Sequence, residues 1–357
     1  LTPDIVTRLG RNGISCIIES GAGNAAEYTD EDYQDAGATV ASRDEVIATA
    51  DALGFIDRPS AETVAKLKAG QWVIGMLGSF TDTAYVESLS NAGLVGVAIE
   101  KLPRQLSSAQ SMDEMTSQNS VMGYKAAITA ANAYGAFLPM MTTAAGTIRP
   151  AKALVLGAGI AGLQAIGTLK RLGAVVTAYD VRPASKGEVE SLGAKFLDLG
   201  LDFSKGQGEG GYARALSAEE QAQQQAAVDE KASGFDIVIT TAKVPGRKPP
   251  VLLTKAGVNG LHRGAVIVDC AASDLGGNVE GSAVGEQVTE GGVKLIGAPY
   301  LASGVATTAS NLLSRNVADV LSHFVRDGKL GMDLTEELDN ALVVAGRIET
   351  AEKKEEK

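Results

Sequence analysis

The sequence predicts an α/β fold of two domains with parallel sheets, linked by long helices. Short apolar runs alternate with polar-faced helical segments along most of the chain, a pattern typical of parallel sheets. Aromatic residues make up only 4% whereas glycine occurs 42 times, which suits tight strand-to-helix turns. With 357 residues, 45% of them apolar, the chain is long enough to bury two cores.

Composition narrows the functional classes. A net charge of −11 gives no positive field for nucleic acid, so nucleic-acid binding is not expected. The two cysteines, Cys16 and Cys270, lie in apolar runs, which favours a reducing compartment, the cytoplasm. No run reaches the about 18 apolar residues of a membrane span. The chain opens with Thr2-Pro3, a helix start, so we expect a leading strand to precede it.

The first domain is predicted to comprise residues 1–123 and 305–357. Its predicted strands and helices alternate, with strands at 14–18, 53–56, 72–77 and 94–99 and helices at 61–68 and 83–92. An alanine-rich segment at 124–137 predicts one long helix linking the domains, and a second, at 308–324, returns to the first. Residues 333–350 are predicted to form a short strand-rich tail.

The second domain is predicted at residues 124–304. Its five apolar strands are predicted at 153–156, 175–179, 237–241, 265–268 and 294–296. Residues 205–231 between two of these strands begin glycine-rich and become rich in Gln, Ala and Glu. A loop of this length in a compact domain is typical of a functional flap, so we predict a mobile loop there, a decorative surface loop being the alternative.

A dinucleotide-binding turn follows the first of these strands. Gly157-Ala158-Gly159-Ile160-Ala161-Gly162 leads into a helix and then a strand that ends on Asp180. Strand, turn, helix, second strand and terminal acid come in the order of a Rossmann unit, which predicts a Rossmann fold for the second domain. The alternating strands and helices of the first domain predict a Rossmann-like parallel sheet there as well.

Each position in this unit has a physical purpose. Gly157 permits the tight turn, Gly159 lets backbone N–H groups approach a pyrophosphate, and Gly162 lets the helix pack on its strand. Asp180 would accept hydrogen bonds from the adenosine ribose and repel a 2′-phosphate, which favours NAD(H). Arg182 instead favours NADP(H), because a nearby arginine can accommodate the 2′-phosphate of NADP.

Motifs outside the turn carry a family resemblance. They are Pro103-Arg104, Ser107 to Asp113 with its Gln110-Ser111-Met112-Asp113 end, Thr143 to Thr147, Gly210 to Ala213, Thr240-Thr241-Ala242 and Gly276-Gly277-Asn278. Together they resemble the NAD(H)-binding component, the alpha subunit's domain I, of proton-translocating NAD(P) transhydrogenases. The glycine turn alone would not separate this family from its relative alanine dehydrogenase.

The resemblance implies roles for individual residues. Arg104, Gln110 and Asp113 would hold the nicotinamide and its ribose in an interdomain cleft, and Thr116 keeps a hydroxyl found in the family. Asp180, Val181 and Arg182 would contact the adenosine, and Gly211 with Tyr212 would lie on the mobile loop. Gln224 on the same loop, Ala242 and Lys243 also fall at nucleotide-contacting positions, joining Ala158 and Ile160 of the turn.

Some positions depart from the family pattern. One residue more than usual separates Arg104 from Gln110, and Lys243 stands where an apolar residue is common. The alternative to a binding role for Arg104 and Asp113 is a simple surface ion pair, and the alternative for Tyr212 is an ordinary exposed loop aromatic.

The implied reaction is direct hydride transfer from NADH on this chain to NADP⁺ on a partner domain, coupled to proton translocation by a membrane subunit. It needs no metal site, and none is predicted. The resemblance also implies a homodimer, held peripherally on the cytoplasmic face of the inner membrane. Two alternatives are an alanine dehydrogenase-like oxidoreductase and a non-catalytic NAD(H)-binding module. The first is disfavoured because Phe55 and Met76 occupy positions where that relative has its Lys and His.

Overall fold

The computed structural model describes residues 1–201, 216–243 and 247–347. Contacts divide the chain into a first unit, Leu1–Gln118 with the chain from Ala306 onward, and a second unit, Asn119–Val305. The sequence predicts these divisions at 123/124 and 304/305. Along the described part of the chain, no helix has the length and apolar character needed to cross a bilayer.

Twelve α-helices are found in the described residues. In chain order they are α1 (Pro3–Arg11), α2 (Asp30–Asp35), α3 (Arg43–Thr49), α4 (Ala61–Lys66), α5 (Thr83–Asn91), α6 (Glu114–Ala133), α7 (Ile160–Arg171), α8 (Ser185–Ser191), α9 (Ala218–Ala232), α10 (Lys255–Gly260), α11 (Ala306–Phe324) and α12 (Glu337–Leu342).

Seventeen strands are found in the same residues. In chain order they are β1 (Ile17–Glu19), β2 (Thr39–Ala41), β3 (Ala52–Asp57), β4 (Trp72–Met76), β5 (Val95–Ala98), β6 (Met141–Thr143), β7 (Gly146–Ile148), β8 (Lys152–Leu156), β9 (Val175–Tyr179), β10 (Lys195–Phe196), β11 (Ile237–Thr240), β12 (Val266–Asp269), β13 (Gly285–Val288), β14 (Lys294–Gly297), β15 (Val325–Arg326), β16 (Lys329–Leu330) and β17 (Val343–Ala345).

The first unit contains two separate sheets with parallel strands. β3, β4 and β5 run parallel, and β17 closes the far edge antiparallel to β5. β1 and β2 form a second, two-stranded parallel sheet. A cavity of about 1070 Å³ lies within this unit, lined by residues of both β1 and β3. The strands predicted from apolar runs in this unit are therefore present, but they do not form one continuous sheet.

The second unit is built on a seven-stranded sheet in the order β10-β9-β8-β11-β12-β14-β13. Every strand is parallel except β13 at one edge. Alternate residues of β8 enter two different cores: Ala153 and Val155 one, Leu154 and Leu156 the other. Because both faces are covered, these strands are continuous apolar runs, as expected of a parallel sheet. The α/β class with Rossmann-like parallel sheets is confirmed.

The strand order reverses beside β8. The chain proceeds from β8 to β9 and β10 on one side, then crosses to β11 and β12 on the other. Two neighbouring strands whose connections leave in opposite directions open a crevice at their carboxyl ends. The glycine turn after β8 and the residues after β11 therefore line this crevice.

Three sequence predictions need correction. The predicted loop at 205–231 is helical over α9, because Ser217 and Glu220 form a capping box ahead of strong helix formers. The tail predicted as strand-rich contains α12 before β17. The long helix predicted at 124–137 is α6, which begins ten residues earlier because the Asp113 carboxylate accepts the backbone N–H of Thr116 as an N-cap.

Candidate functional site

The glycine turn after β8 has the conformation its sequence predicts. Gly157 has a φ of 96°, a value that favours glycine. A Cβ at Gly162 would lie 1.9 Å from the carbonyl oxygen of Gly157, so α7 could not approach β8 with any side chain there. A Cβ at Gly159 would meet no described atom within 4 Å. The turn is therefore tight on its inner side and open at Gly159.

The open side is the N-terminus of α7. Gly159 is the N-cap residue and has no side chain with which to satisfy the first N–H groups of the helix. Ile160 is the first helical residue, and Ala158 is fully buried behind the turn. Uncapped N–H groups and the helix dipole give this end a partial positive charge, which attracts a phosphate.

Asp180 and Arg182 form a closed pair at the end of β9. The Asp180 carboxylate accepts the N–H of Ala158 at 2.8 Å and the backbone N–H of Arg182 at 2.8 Å. The Arg182 guanidinium also donates to it, from Nε at 3.0 Å. Hydrogen bonding to Asp180 raises the pKa of Arg182. Arg182, whose presence favours NADP(H), is therefore bonded to Asp180, whose presence favours NAD(H). Val181, between them, packs against the second unit's core.

A second contact joins the turn to the next strand of the crevice. The Thr241 hydroxyl, just after β11, donates to the carbonyl of Gly157 at 2.9 Å. Ala242 follows and is partly buried, and Lys243 is exposed. The predicted contact positions at Ala242 and Lys243 therefore lie after the carboxyl end of β11, beside the glycine turn.

Gln224 differs from its predicted setting. It lies in α9, not in a loop, and is 2% exposed, with its Nε2 donating to the Tyr179 hydroxyl at 3.1 Å. Its side chain supports the end of β9 from within the core. Gly211 and Tyr212 lie outside the described residues.

In the first unit the structure brings Arg104, Asp113 and Thr116 together. Arg104 Nε donates to Asp113 at 2.9 Å, and its Nη2 donates to the Thr116 hydroxyl at 3.0 Å. The hydroxyl in turn donates to Asp113 at 2.6 Å. Burial raises the pKa of Asp113, but the bonds from Thr116 and Arg104 outweigh it and the pKa is lowered. The three side chains form a partly buried, fixed group and not a loose surface pair.

The remaining predicted residues of this unit are less constrained. Gln110 is exposed, on a 3₁₀ turn (Ser107–Met112) that leads into α6. Phe55 in β3 is partly buried, and Met76 at the end of β4 is 36% exposed. Neither side chain can take up or release a proton.

Glu114, which sequence reasoning missed, lies directly beside this group. Its Oε2 atom is buried and makes no hydrogen bond in the described structure. Burial, followed by the charges of Asp113 and Glu100, raises the pKa of Glu114 to about 7. An acid directly after the capping Asp113 could have been singled out from sequence, but only the fold shows that it is buried.

Glu114→Gln is expected to stabilise the protein at pH 8 and not at pH 5. The pKa of Glu114 is higher folded than unfolded, so stability falls as pH rises from about 4.5 through about 7. Removing the charge should raise the free energy of unfolding at pH 8 by about 1–3 kcal/mol. Urea unfolding at both pH values checks this. Glu62→Gln, at an exposed position in α4, is the control; an equal gain from both variants would contradict the assignment.

One group in the described ranges has metal-like spacing, formed by His323, Glu336 and Asp339. Arg326 already places its guanidinium 3.0 Å from Asp339 and 3.1 Å from Glu336. His323 Nε2 lies 2.5 Å from the other Asp339 oxygen. These bonds join α11 to β15 and α12.

Comparison with known proteins places these features in context. Residues 1–122 match the family model for the alanine dehydrogenase/PNT N-terminal domain, and residues 126–350 match the one for the C-terminal domain. A protein of Rickettsia prowazekii, named as a part of the NAD(P) transhydrogenase alpha subunit, is 40% identical over 341 residues, 93% of this chain and 88% of that relative.

A solved transhydrogenase structure is also similar to this chain. That of transhydrogenase from Sinorhizobium meliloti superposes with a TM-score of 0.84 at 39% identity, covering 96% of this chain and 93% of that one. The alanine dehydrogenase of Mycobacterium tuberculosis is less similar, at 30% identity over 79% of this chain and 70% of that relative. By sequence identity and coverage, the transhydrogenase relative is therefore more similar to this chain than the alanine dehydrogenase is.

Proposed function

This chain belongs to the alanine dehydrogenase/PNT family, and from that premise we propose that it is the NAD(H)-binding alpha-subunit component of a proton-translocating NAD(P) transhydrogenase. The transhydrogenase part of the proposal is supported by the similarity to transhydrogenase alpha subunits. The observation that carries NAD(H) binding is the turn of 157–162, closed at Gly162 and open at Gly159, which leaves the uncapped start of α7 facing the crevice. A dinucleotide pyrophosphate fits that opening.

Asp180 supports NAD(H) as the dinucleotide. Its carboxylate stands at the end of β9, where the adenosine ribose hydroxyls of a dinucleotide lie in this fold. A 2′-phosphate there would meet a negative charge, and the cation beside that charge, Arg182, is already bonded to it. NAD(H) would approach the same carboxylate with hydrogen-bond donors.

Arg104, Asp113 and Thr116 are proposed to position the nicotinamide end of the substrate, together with Gln110. The bonds among the first three hold the guanidinium in one orientation, so its position need not be fixed anew when substrate binds. Hydride transfer between two nicotinamides needs close, fixed approach of the rings and no proton acceptor. The proton-inert side chains of Phe55 and Met76 accord with such a reaction and disfavour an amino-acid dehydrogenase.

The proposal includes partners. NADP⁺ would bind a separate transhydrogenase domain, and a membrane subunit would carry the protons. The chain is proposed to act as a homodimer, attached peripherally through that subunit on the cytoplasmic face of the inner membrane. The name of the R. prowazekii relative, which identifies it as belonging to an alpha subunit, supports a multi-subunit assembly.

Hydride exchange with a reconstituted partner tests the function. The chain is mixed with NADH and a separately prepared NADP(H)-binding domain loaded with NADP⁺, and NADPH formation is followed. Exchange is expected only when both components are present. Reduction of NAD⁺ by an amino acid with this chain alone would overturn the proposal in favour of an alanine dehydrogenase, and tight NADH binding with no exchange would favour a non-catalytic module.

A further inference from the structure

Asn278 lies beneath the nucleotide crevice and is 0% exposed. Its side-chain amide forms hydrogen bonds to both backbone polar groups of Ala242, just after β11. Oδ1 accepts the Ala242 N–H at 2.9 Å, and Nδ2 donates to the Ala242 carbonyl at 2.8 Å. Nδ2 also donates to the carbonyl of Pro250 at 2.8 Å. The amide therefore uses both its donors and its acceptor on main-chain groups, as a neighbouring β-strand would.

The backbone of Asn278 is itself held in place. Its carbonyl accepts the N–H groups of Leu252 at 2.7 Å and Leu253 at 3.1 Å. The preceding Gly277 packs so closely on Asp269 that a Cβ there would lie 2.1 Å from the Asp269 carboxylate. The backbone of Asn278 is therefore fixed by its own bonds. The hydrogen bonds between the two residues thus position Ala242, and not Asn278.

Asp269 fixes this arrangement to the sheet. It is the last residue of β12, is fully buried, and accepts the Thr240 hydroxyl at 2.9 Å and the Val279 N–H at 3.1 Å. Thr240 is the last residue of β11. The carboxyl ends of the two strands and the segment carrying Asn278 therefore form one buried polar network, in which each bond is stronger than it would be in water.

The network leads directly to the glycine turn. Ala242 is held by Asn278, and Thr241 immediately before it donates to the carbonyl of Gly157. A shift of Ala242 would therefore disturb both the backbone facing the crevice and the bond that fixes Gly157. Asn278 does not reach the crevice itself, because its whole side chain is buried.

We propose that Asn278 is a positioning residue of the dinucleotide site, which holds Ala242 and, through Thr241, the turn at Gly157 in the geometry that receives the nucleotide. The inference rests on the proposed NAD(H) function and adds to it a residue that does not contact the nucleotide.

The decisive comparison is between Asn278→Ala and Gln71→Ala. Gln71, in the first unit, is also a buried amide with three main-chain bonds: to the carbonyls of Ile47 and Ala50 and from the N–H of Lys68. Both variants lose two donated bonds and one accepted bond, so both should unfold more easily. Only Asn278→Ala is expected to weaken NADH binding, by about tenfold, measured by fluorescence of bound NADH on the folded fraction.

Asn278→Asp gives a readout that a purely structural role would not move. An ionised carboxylate would face the carbonyls of Ala242 and Pro250, whereas the protonated form can again donate to one of them and accept from the Ala242 N–H. Burial and the nearby Asp269 charge both favour the protonated form. Two cations act in the opposite direction: Lys243, next to Ala242, and Lys248, whose side chain approaches Gly276. The NADH affinity of this variant should therefore recover as pH falls. The NADH affinities of wild type and Gln71→Ala should have pH profiles parallel to each other, without this recovery.

The outcomes are separable. Wild-type NADH affinity in Asn278→Ala, or a pH profile of Asn278→Asp parallel to that of wild type, would overturn the inference while leaving NAD(H) binding intact. Failure of the wild-type chain to bind NADH would instead remove the proposed function. If Asn278→Ala does not fold, Asn278→Asp decides the inference. NADH affinity that is higher at low pH than at high pH, beyond the change seen in wild type, supports it, and a profile parallel to that of wild type overturns it.

Discussion

Gly162→Ala is expected to weaken dinucleotide binding strongly and to destabilise the second unit. The added Cβ would stand 1.9 Å from the Gly157 carbonyl oxygen and 2.9 Å from its carbon, and both belong to the backbone and cannot rotate away. α7 must therefore move off β8, which separates its N-terminus from the turn. We expect a loss of about 2–4 kcal/mol in the free energy of unfolding and at least about 100-fold weaker NADH binding.

Gly159→Ala is the matched control, because the same methyl group is added three residues earlier in the same turn. Its Cβ meets no described atom within 4 Å, so the free energy of unfolding should stay within about 0.5 kcal/mol of wild type. The methyl group enters the space proposed for the pyrophosphate, so NADH affinity should still fall. Calorimetry with and without NADH measures both quantities. Unchanged affinity in Gly159→Ala would show that the pyrophosphate lies elsewhere.

Sequence alone predicts the local conformation of this turn but not the long-range bond that fixes it. The order of strand, glycines, helix and acid predicts its conformation, because each glycine satisfies a local steric need. The bond from Thr241 to Gly157 joins residues 84 positions apart and depends on which strands are neighbours. No local pattern encodes that pairing. Asn278 belongs to a motif visible in the sequence, yet its bonds to Ala242 can be found only in the folded chain.

Helix α9 and Glu114 show two other limits. Glycines at the start of 205–231 favour a loop for the whole segment, although Ser217 and Glu220 carry a capping signal that local reasoning could have used. The burial of Glu114 has no such local signal. It follows from how α6 packs, and a glutamate at the first turn of a helix is ordinarily solvated.

Arg104→Ala is expected to slow hydride transfer by about 100-fold while changing NADH affinity much less, because the guanidinium is proposed to orient one end of the substrate. Asp113 would keep its cap on Thr116 but lose its cation, so its pKa should rise and the free energy of unfolding should fall by about 1–3 kcal/mol. Stopped-flow mixing with the NADP⁺-loaded partner measures the rate, and equilibrium titration measures the affinity.

Arg43→Ala supplies the comparison for a cation in an ordinary surface pair. Arg43 lies 3.1 Å from Glu19, with side chains 52% and 41% exposed, against 28% and 12% for Arg104 and Asp113. An exposed pair contributes about 0–1 kcal/mol, so this variant should unfold nearly as wild type does and exchange hydride at the same rate. If Arg104→Ala behaves in the same way, the cluster at the start of α6 is structural and the nicotinamide must be oriented by other residues.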